Sequence, residues 1–323
     1  MSKRAAAFTA LVLTAAVVSA LCLTAGSVKI PLSGIMAALA GSGGDYESVI
    51  IMQIRLPRIL LGFMVGGMLG LCGAMLQAVL KNPLVDPFIT GISSGAALGA
   101  TAAIMAGIGE PALFAAAMAM ATIFLVYRIS FKYGRLNTTG LLLTGVMTGS
   151  FFSGLIMLSA AVFNRDLVKI MFWLMGDLSS PGWPHIAAAV IVTIPVFGAC
   201  MYFSNDLNIL SAGEEEAGTM GVNTEFIKLF YFAAAGILTG LAVSLSGVIG
   251  FVGLLIPHIM RFIFGADMRL LMPASFLGGG IFLIGADTLA RSMFLPVEVP
   301  VGIITGLIGA PVFIIMLMRR KDI

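Results

Sequence analysis

Charged residues are scarce in this chain of 323 residues. Aspartate, glutamate, lysine and arginine together make up 10% of the sequence, whereas an ordinary soluble domain carries about 25%. A chain so poor in charge cannot cover a water-facing surface with it. Because 59% of the residues are hydrophobic and the mean hydropathy is +1.08, the sequence predicts a protein that crosses a membrane several times.

Histidine and cysteine are also rare, with two and three residues. Cys22, Cys72 and Cys200 lie in apolar runs without a pairing pattern, so we expect buried thiols rather than disulfides or metal ligands. The sequence has no GxxxxGK[ST] nucleotide-binding motif and no extramembrane stretch longer than about 25 residues. We therefore expect no cofactor on this chain, and any energy must enter through a partner or an ion gradient. The net charge of +3 predicts no nucleic-acid partner.

The apolar runs give the fold class. At about 20 residues per crossing, the chain has room for roughly ten transmembrane helices in one polytopic domain, residues 1–323. Continuous apolar runs favour helices over the alternating strands of a barrel, so the sequence predicts an all-α membrane protein. The predicted spans lie near residues 7–25, 57–80, 91–107, 112–130, 139–162, 186–203, 229–248, 251–265, 274–292 and 301–318.

The basic residues predict the orientation. Lys3 and Arg4 before an apolar run resemble a signal peptide, but many spans follow, so we expect an uncleaved first helix. Ten spans with both termini in the cytoplasm place 12 of the 18 basic residues inside, as the positive-inside rule requires. The inner residues are Lys3, Arg4, Lys81, Arg128, Lys132, Arg135, Lys228, Arg261, Arg269, Arg319, Arg320 and Lys321, and the outer ones are Lys29, Arg55, Arg58, Arg165, Lys169 and Arg291.

Glycines recur at four-residue intervals in two of the predicted spans. Small residues at this spacing allow helix backbones to approach closely, so we expect tight helix packing at these positions. The glycines are Gly62, Gly66 and Gly70 in one span, and Gly91, Gly95 and Gly99 in the next. Between the two spans, KNPLVDP (81–87) contains two prolines and opposite charges, which predicts a break in the helix.

The largest polar loop, residues 204–226, contains three consecutive glutamates, Glu214, Glu215 and Glu216. Apolar residues recur there every three or four positions, which predicts short helices. An amphipathic cytoplasmic loop of this kind is either a solvated face or a docking surface for a soluble subunit. Both interpretations remain open on the spacing alone.

Arginines mark the outer mouths of two spans. Arg55 and Arg58 are three residues apart and share a helical face, and Arg291 ends the ninth span. They either extend to the interface or form a positive rim that attracts an acidic partner. Asp287 is four residues before Arg291, so we expect a structural ion pair between the two.

A serine-hydrolase pattern is also present but lacks its usual context. Gly91, Ser93 and Gly95 fit G-x-S-x-G, with His258 as a candidate base. That motif is typical of a strand-to-helix turn, whereas membrane helices and KNPLVDP flank it here. We therefore expect the serines at 93 and 94 to cap a helix or to pack between helices rather than to act as nucleophiles.

Several longer motifs follow one another in the order found in one family. They are RLPR (55–58), GAMLQAVLKNPLVDPFITGISSGAALGA (73–100), GEEEAGTMGV (213–222), GFVGLLIPHIMR (250–261), ADTLAR (286–291) and PVGIITGLIGAPVF (300–313). Together they resemble the permease subunits of ATP-binding-cassette (ABC) importers for cobalamin, ferric siderophores and haem, the FecCD-like type II importers. The resemblance extends over residues 28–318.

This resemblance implies a type II ABC-importer permease fold in the cytoplasmic (inner) membrane, surrounded by lipid. It implies a second permease copy in a homodimer, two ATPase subunits that bind ATP and Mg, and a periplasmic or surface binding protein. The chain itself would not be an enzyme. The cargo would be cobalamin or an iron chelate, either a siderophore or haem.

The resemblance also assigns residues. It implies that the 204–226 loop couples the permease to the ATPases through Leu210, Gly213, Glu214, Glu215, Ala217 and Gly221. It implies that Arg55, Arg58 and Arg291 dock the binding protein. The alternative is a gradient-driven secondary transporter, which would carry charges at mid-depth, whereas the charges here lie near the span ends.

Overall fold

A computed structural model describes residues 3–26, 28, 30–41, 44–108, 110–132, 135–163, 167–179, 182–293 and 297–319. The first helices are α1 (Lys3–Thr24), α2 (Leu32–Leu39), α3 (Asp45–Val49), α4 (Leu56–Val79), α5 (Ile92–Met105), α6 (Pro111–Ser130) and α7 (Thr138–Phe163). The others are α8 (Leu167–Leu174), α9 (Trp183–Tyr202), α10 (Ser204–Ala212), α11 (Glu214–Thr219), α12 (Thr224–Ser246), α13 (Val252–Phe264), α14 (Met268–Ser292) and α15 (Val301–Arg319). Lys29, Arg165, Arg320 and Lys321, which enter the orientation prediction, lie outside the described residues.

Four short elements of the described chain complete this framework. A π-helical turn, Ile50–Arg55, joins α3 to α4, and a 3-10 turn, Pro87–Thr90, leads into α5. The strands β1 (Phe131–Lys132) and β2 (Arg135–Leu136) pair antiparallel between α6 and α7.

Seven helical segments of the described chain are long and apolar enough to cross a membrane: Arg4–Thr24, Tyr46–Val79, Pro111–Ser130, Thr138–Phe163, Trp183–Tyr202, Thr224–Ser246 and Met268–Ser292. Shorter apolar helices, α5, α13 and α15, occupy the three other predicted positions. The 13 residues of α13 extend about 20 Å at 1.5 Å per residue, which is less than the roughly 30 Å of a hydrocarbon core. The multi-pass helical fold is confirmed, while the number of ten spans stays a prediction.

The perimeter of the molecule is apolar. Leu113 and Phe124 on α6, Phe151 on α7 and Ile191 on α9 are each more than 60% exposed. Large exposed apolar side chains on several neighbouring helices are unfavourable in water but suit a lipid solvent. The three outward-facing helices therefore agree with the membrane prediction made from composition.

Helix α4 lies at the centre of the packing, with α9, α12, α13 and α14 against it. A Cβ atom added to Gly66 would overlap the carbonyl oxygen of Gly279 on α14, and one added to Gly279 would overlap the carbonyl of Gly66. The two backbones are therefore in direct contact, as the four-residue glycine spacing predicts. Gly95 and Gly99 make the same kind of approach to α6.

The break predicted at KNPLVDP is confirmed. After α4 the chain turns through Lys81, which has a left-handed φ of 49°, and then enters the 3-10 turn Pro87–Thr90. A carboxylate oxygen of Asp86 accepts the backbone N–H of Phe88 at 2.9 Å and caps this turn. Burial raises the pKa of Asp86 to about 6. The break thus places a buried carboxyl group in the interior of the molecule.

Candidate functional site

Helix α14 connects the two regions that the sequence motifs single out. Its first residues contact α10, because Asn208 Oδ1 accepts the backbone N–H of Met268 at 2.8 Å. Its last turn carries Asp287 and Arg291. The 25 residues of α14 extend roughly 37 Å, so the polar loop and the arginines lie at opposite ends of one membrane-length helix. We refer below to its loop end and its arginine end.

At the arginine end, Arg58 on α4 and Asp287 on α14 form a two-pronged ion pair. Arg58 Nε donates to Asp287 Oδ2 at 2.9 Å, and Arg58 Nη2 donates to Asp287 Oδ1 at 2.9 Å. Arg58 Nη1 also donates to Glu298 Oε2 at 2.8 Å. The predicted pair between Asp287 and Arg291 is present only as a 3.9 Å contact. Arg58 is the main partner of Asp287, because α4 and α14 bring the two side chains together across a buried interface.

Arg55 and Arg291 fasten α1 to this end. Arg55 Nη1 donates to the carbonyl of Leu23 at 2.7 Å, and Arg55 Nη2 donates to the carbonyl of Val28. Arg291 Nη2 donates to the carbonyl of Cys22 at 2.7 Å. The last carbonyls of α1, which have no partner within the helix, are thereby satisfied by guanidinium groups.

Arg55, Arg58 and Arg291 are brought together, as the sequence analysis predicts, but in a cleft rather than on an exposed rim. Each residue is 6% exposed or less, and the three line a cleft of about 340 Å³ with Glu298. We call this the arginine cleft. Among the described residues, and with the buried Asp287 included, it contains three cations and two carboxylates, so these groups leave one positive charge in excess. Such a cleft can accept one further carboxylate from outside.

At the loop end, the predicted short helices are confirmed as α10 and α11. The loop residues Leu207, Leu210 and Ala217 are fully buried, whereas Met220 is 67% exposed. The apolar residues therefore divide into an inward face that holds the loop on the helix bundle and one outward side chain. Leu210 and Ala217, which the resemblance assigns to coupling, pack inward.

Gly221 ends α11 with a specific backbone geometry. Its φ is +81°, a conformation that costs other residues about 1–2 kcal/mol. The backbone N–H of Val222 bonds the carbonyl of Ala217 at 3.0 Å, and that of Gly221 bonds the carbonyl of Gly218 at 3.1 Å. These two bonds define a Schellman motif. Gly221 is therefore required by the shape of the loop.

The three glutamates of α11 have different surroundings. All three are exposed, but Glu214, whose side chain is 44% exposed, also accepts a hydrogen bond at Oε2 from Lys228 Nζ on α12 at 2.7 Å. Gly213 lies in extended backbone between α10 and α11, with a φ of 179°. Glu214 thus connects α11 to Lys228 on α12, and Glu215 contributes to an acidic outer surface. The sequence analysis did not identify Lys228 or Glu298. The one local signal for Lys228 was Glu225, three residues earlier on the same helix, whereas Glu298 pairs with Arg58, 240 positions away.

Asp267 fixes the loop end of α14. Its carboxylate accepts from the side chain and the backbone N–H of Arg269 and from Asn208 Nδ2 at 2.9 Å on α10. The hydrogen bond from Arg269 is the main reason that the pKa of Asp267 is lowered to about 2. The charged carboxylate therefore caps α14 and connects it to the polar loop.

Between the two ends lies a cavity of about 490 Å³. Its wall is largely apolar, with Asp86 as the charged residue among those that line it; the others are Phe88, Leu174, Met175, Val248, Gly250, Phe251, Leu254, Gly302 and Ile303. Phe251, the residue just before α13, has a left-handed φ of 69°. This conformation is unusual for a bulky residue, and strained backbone of this kind clusters at functional sites. This cavity can take a large, mostly apolar molecule.

Two other predictions concern reactive groups. The three cysteines are free and buried, and the described residues contain no group of three histidine, cysteine, aspartate or glutamate side chains that could hold a metal ion. Ser93 is buried on α5, while the ring of His258 packs against Phe262 and Phe313. The described contacts give no support to a serine–histidine pair.

Comparison with known proteins adds a further set of findings. Residues 12–319 match the model of the FecCD transport family. The chain is 44% identical over 282 residues to the cobalamin import system permease protein BtuC of Halobacterium salinarum, with 86% of this chain and 75% of that protein covered. It is 37% identical to the hemin transport system permease protein HmuU of Yersinia pestis, with 84% of each covered. An inward-facing conformation of a metal-chelate type ABC transporter matches with a TM-score of 0.88 at 32% identity, covering 96% of this chain and 98% of that one.

Proposed function

Because the chain belongs to the FecCD transport family, we propose that it is the permease subunit of an ATP-driven importer in the cytoplasmic membrane, with both termini in the cytoplasm. The cargo is a large chelate, cobalamin or an iron chelate such as a siderophore or haem. A binding protein delivers it from outside. The observation that carries this proposal is the placement of the arginine cleft and the 204–226 loop at opposite ends of α14, with the apolar cavity between them.

The loop end is the side of the ATPases. Two partner chains bind ATP and Mg and contact the outward face of α11, where Glu215 and Met220 are exposed. An acidic group beside an exposed apolar side chain suits a soluble partner with a complementary surface. The Schellman turn at Gly221 holds this face in position.

The arginine end is the side of the binding protein. An acidic side chain of that protein enters the arginine cleft and balances its excess positive charge. Charge complementarity of this kind raises the association rate and fixes the orientation of docking. Because the guanidinium groups are already held by α1 and α14, they lose little conformational entropy when the partner binds.

The cavity is one half of the translocation pathway, and a second copy of the chain completes its wall in a homodimer. Apolar walls contain few groups that would hold a polar cargo tightly, so the cargo can enter and leave. The names of the relatives support cobalamin and hemin as the first cargoes to test. Alternation between the two faces requires two packings of similar free energy, which glycine-lined helix contacts permit.

The test has two stages. Native mass spectrometry of the protein, gently solubilised from its own membrane, should show two permease chains with two ATPase chains and identify the binding protein. The complex is then reconstituted in proteoliposomes with the binding protein and offered cobalamin, a ferric siderophore or hemin in turn. We expect uptake that requires ATP and persists when ionophores collapse the ion gradients. Uptake that depends on the ion gradients and does not require ATP would identify the protein as a secondary transporter instead.

A variant of the outward face tests the coupling assignment. Glu215→Arg reverses a charge that has no part in the described interior contacts, so the protein should still insert and dimerise. ATP-dependent uptake should be lost, because the ATPases no longer seat on α11. Normal uptake by this variant would contradict the assignment of Glu215.

A further inference from the structure

Lys228 is a buried cation at the loop end. Its side chain is 2% exposed, although it lies near the start of α12, close to the polar loop. Its Nζ donates to Glu214 Oε2 at 2.7 Å and to Glu225 Oε1 at 2.9 Å. Two carboxylates thus share one buried ammonium group.

The contacts of Lys228 extend to a third segment. Glu225 Oε2 accepts the backbone N–H of Leu136 at 2.6 Å, and Leu136 lies in β2, in the connection between α6 and α7. One chain of charge-assisted hydrogen bonds therefore runs from α11 through Lys228 on α12 to β2. Such bonds are shorter and stronger than neutral ones.

Helix α11 has few other attachments to the bundle. It contains six residues, it follows the extended Gly213, and it ends at the left-handed Gly221. Ala217 packs inward, but its single methyl group offers little resistance to sliding. Among the described residues, the hydrogen bond between Glu214 and Lys228 is the side-chain polar contact that joins α11 directly to a membrane-length helix.

We propose that Lys228 is a positioning residue that transmits the movement of α11 to α12 and, through Glu225, to β2. The inference rests on the proposed function, because it presumes that ATPases move α11. Separating Glu214 from Lys228 removes one of the two carboxylates that neutralise a buried ammonium group, which costs free energy, so a movement of α11 favours a joint movement of α12. Without the ion pair, this contact no longer couples a movement of α11 to α12.

The experiment measures the amount of cobalamin or hemin, whichever the parent complex takes up, transported per ATP hydrolysed by the permease–ATPase complex in proteoliposomes. Glu214→Gln weakens the link while Glu225 still neutralises Lys228, so the protein should fold and assemble. Lys228→Met removes the link completely. We expect the ratio to fall about tenfold in both, within the range of allosteric coupling effects, while ATP hydrolysis continues.

Three controls separate positioning from a structural role. Lys228→Arg keeps the charge and the donors, so it should restore the ratio to within about twofold of the parent. Glu216→Gln removes one charge from the same helix without touching Lys228 and should leave the ratio unchanged. The double variant Glu214→Gln, Lys228→Met should be no worse than Lys228→Met alone, because both changes break one contact.

The outcomes are distinct. If the parent complex shows no ATP-dependent uptake, the proposed function fails. If the parent complex transports but Glu214→Gln keeps its ratio, or if hydrolysis and uptake fall in proportion, the positioning role of Lys228 is overturned. Additive losses in the double variant would overturn the direct link between the two residues.

Discussion

Arg58 on α4 and Asp287 on α14 are 229 positions apart in sequence and form a bidentate ion pair with side chains 7% and 4% exposed. In a pair buried this deeply, good geometry and additional hydrogen bonds must offset the free-energy cost of removing both charges from water. Glu298, on the same arginine, has a side chain that is 51% exposed. The two carboxylates of Arg58 therefore have different roles: Asp287 holds two helices together, and Glu298 faces the entrance of the cleft.

Asp287→Asn should destabilise the protein strongly. The variant leaves Arg58 and Arg291 buried without their shared carboxylate, and loss of one partner of a buried pair costs about 3–5 kcal/mol. The melting temperature of the detergent-solubilised protein, followed by size-exclusion chromatography, measures the effect. Glu298→Gln is the control, because a half-exposed pair contributes about 1 kcal/mol or less. Equal losses in the two variants would contradict the division between the two carboxylates.

Glu298→Gln should strengthen docking of the binding protein. The variant removes a carboxylate that competes for Arg58, so the excess positive charge of the arginine cleft rises by one. We expect the affinity in nanodiscs to increase several-fold at low salt and the gain to shrink as salt screens the charges. An unchanged or weaker affinity at low salt would exclude the cleft as the docking site. This variant is a cleaner test than Arg58→Glu, which also breaks the pair with Asp287.

The local features of the fold follow from the sequence, and the long-range pairs do not. Apolar runs place the long helices, the glycine spacing predicts the contact at Gly66, and the periodicity of residues 204–226 predicts α10 and α11. The ion pair predicted between Asp287 and Arg291 is confirmed at 3.9 Å, but helical spacing could not predict the closer partner Arg58, which tertiary packing supplies from another helix. Lys228 shows the same limit, since its partner Glu214 lies on a helix whose position only the fold determines.

Gly279→Ala should disrupt the contact between α4 and α14. The added Cβ meets the backbone carbonyl of Gly66, which cannot rotate away as a side chain can. The helices must separate, at a cost of about 1–3 kcal/mol or more. Gly154→Ala is the matched control: Gly154 lies inside α7 with no atom within 4 Å of the added Cβ, so it should be neutral or gain up to about 1 kcal/mol from helix propensity. Similar melting temperatures for both variants would contradict the backbone contact.

Asp86→Asn should stabilise the protein at neutral pH and less so in acid. Burial raises the pKa of Asp86 from its ordinary 3.8 to about 6, so the folded state binds more protons than the unfolded state between these values. Stability therefore falls as pH rises through this window, and the full penalty, about 3 kcal/mol, is present above it. Asparagine keeps the oxygen that caps Phe88 and removes the charge. The gain should be largest near pH 7.5 and about half as large near pH 5.

Asp267→Asn should have the opposite effect and destabilise the protein. Its pKa is lowered to about 2, chiefly by Arg269, so the charged carboxylate stabilises the folded state above its ordinary pKa of 3.8, and this contribution is lost only as the pH falls towards 2. The variant should lower the melting temperature by an amount that does not change between about pH 5 and about pH 7.5. Melting curves of both variants at the two pH values test the pair together. If Asp86→Asn raises the melting temperature equally at both pH values, burial does not raise the pKa of Asp86. If Asp267→Asn raises the melting temperature, Asp267 does not stabilise α14 as its cap.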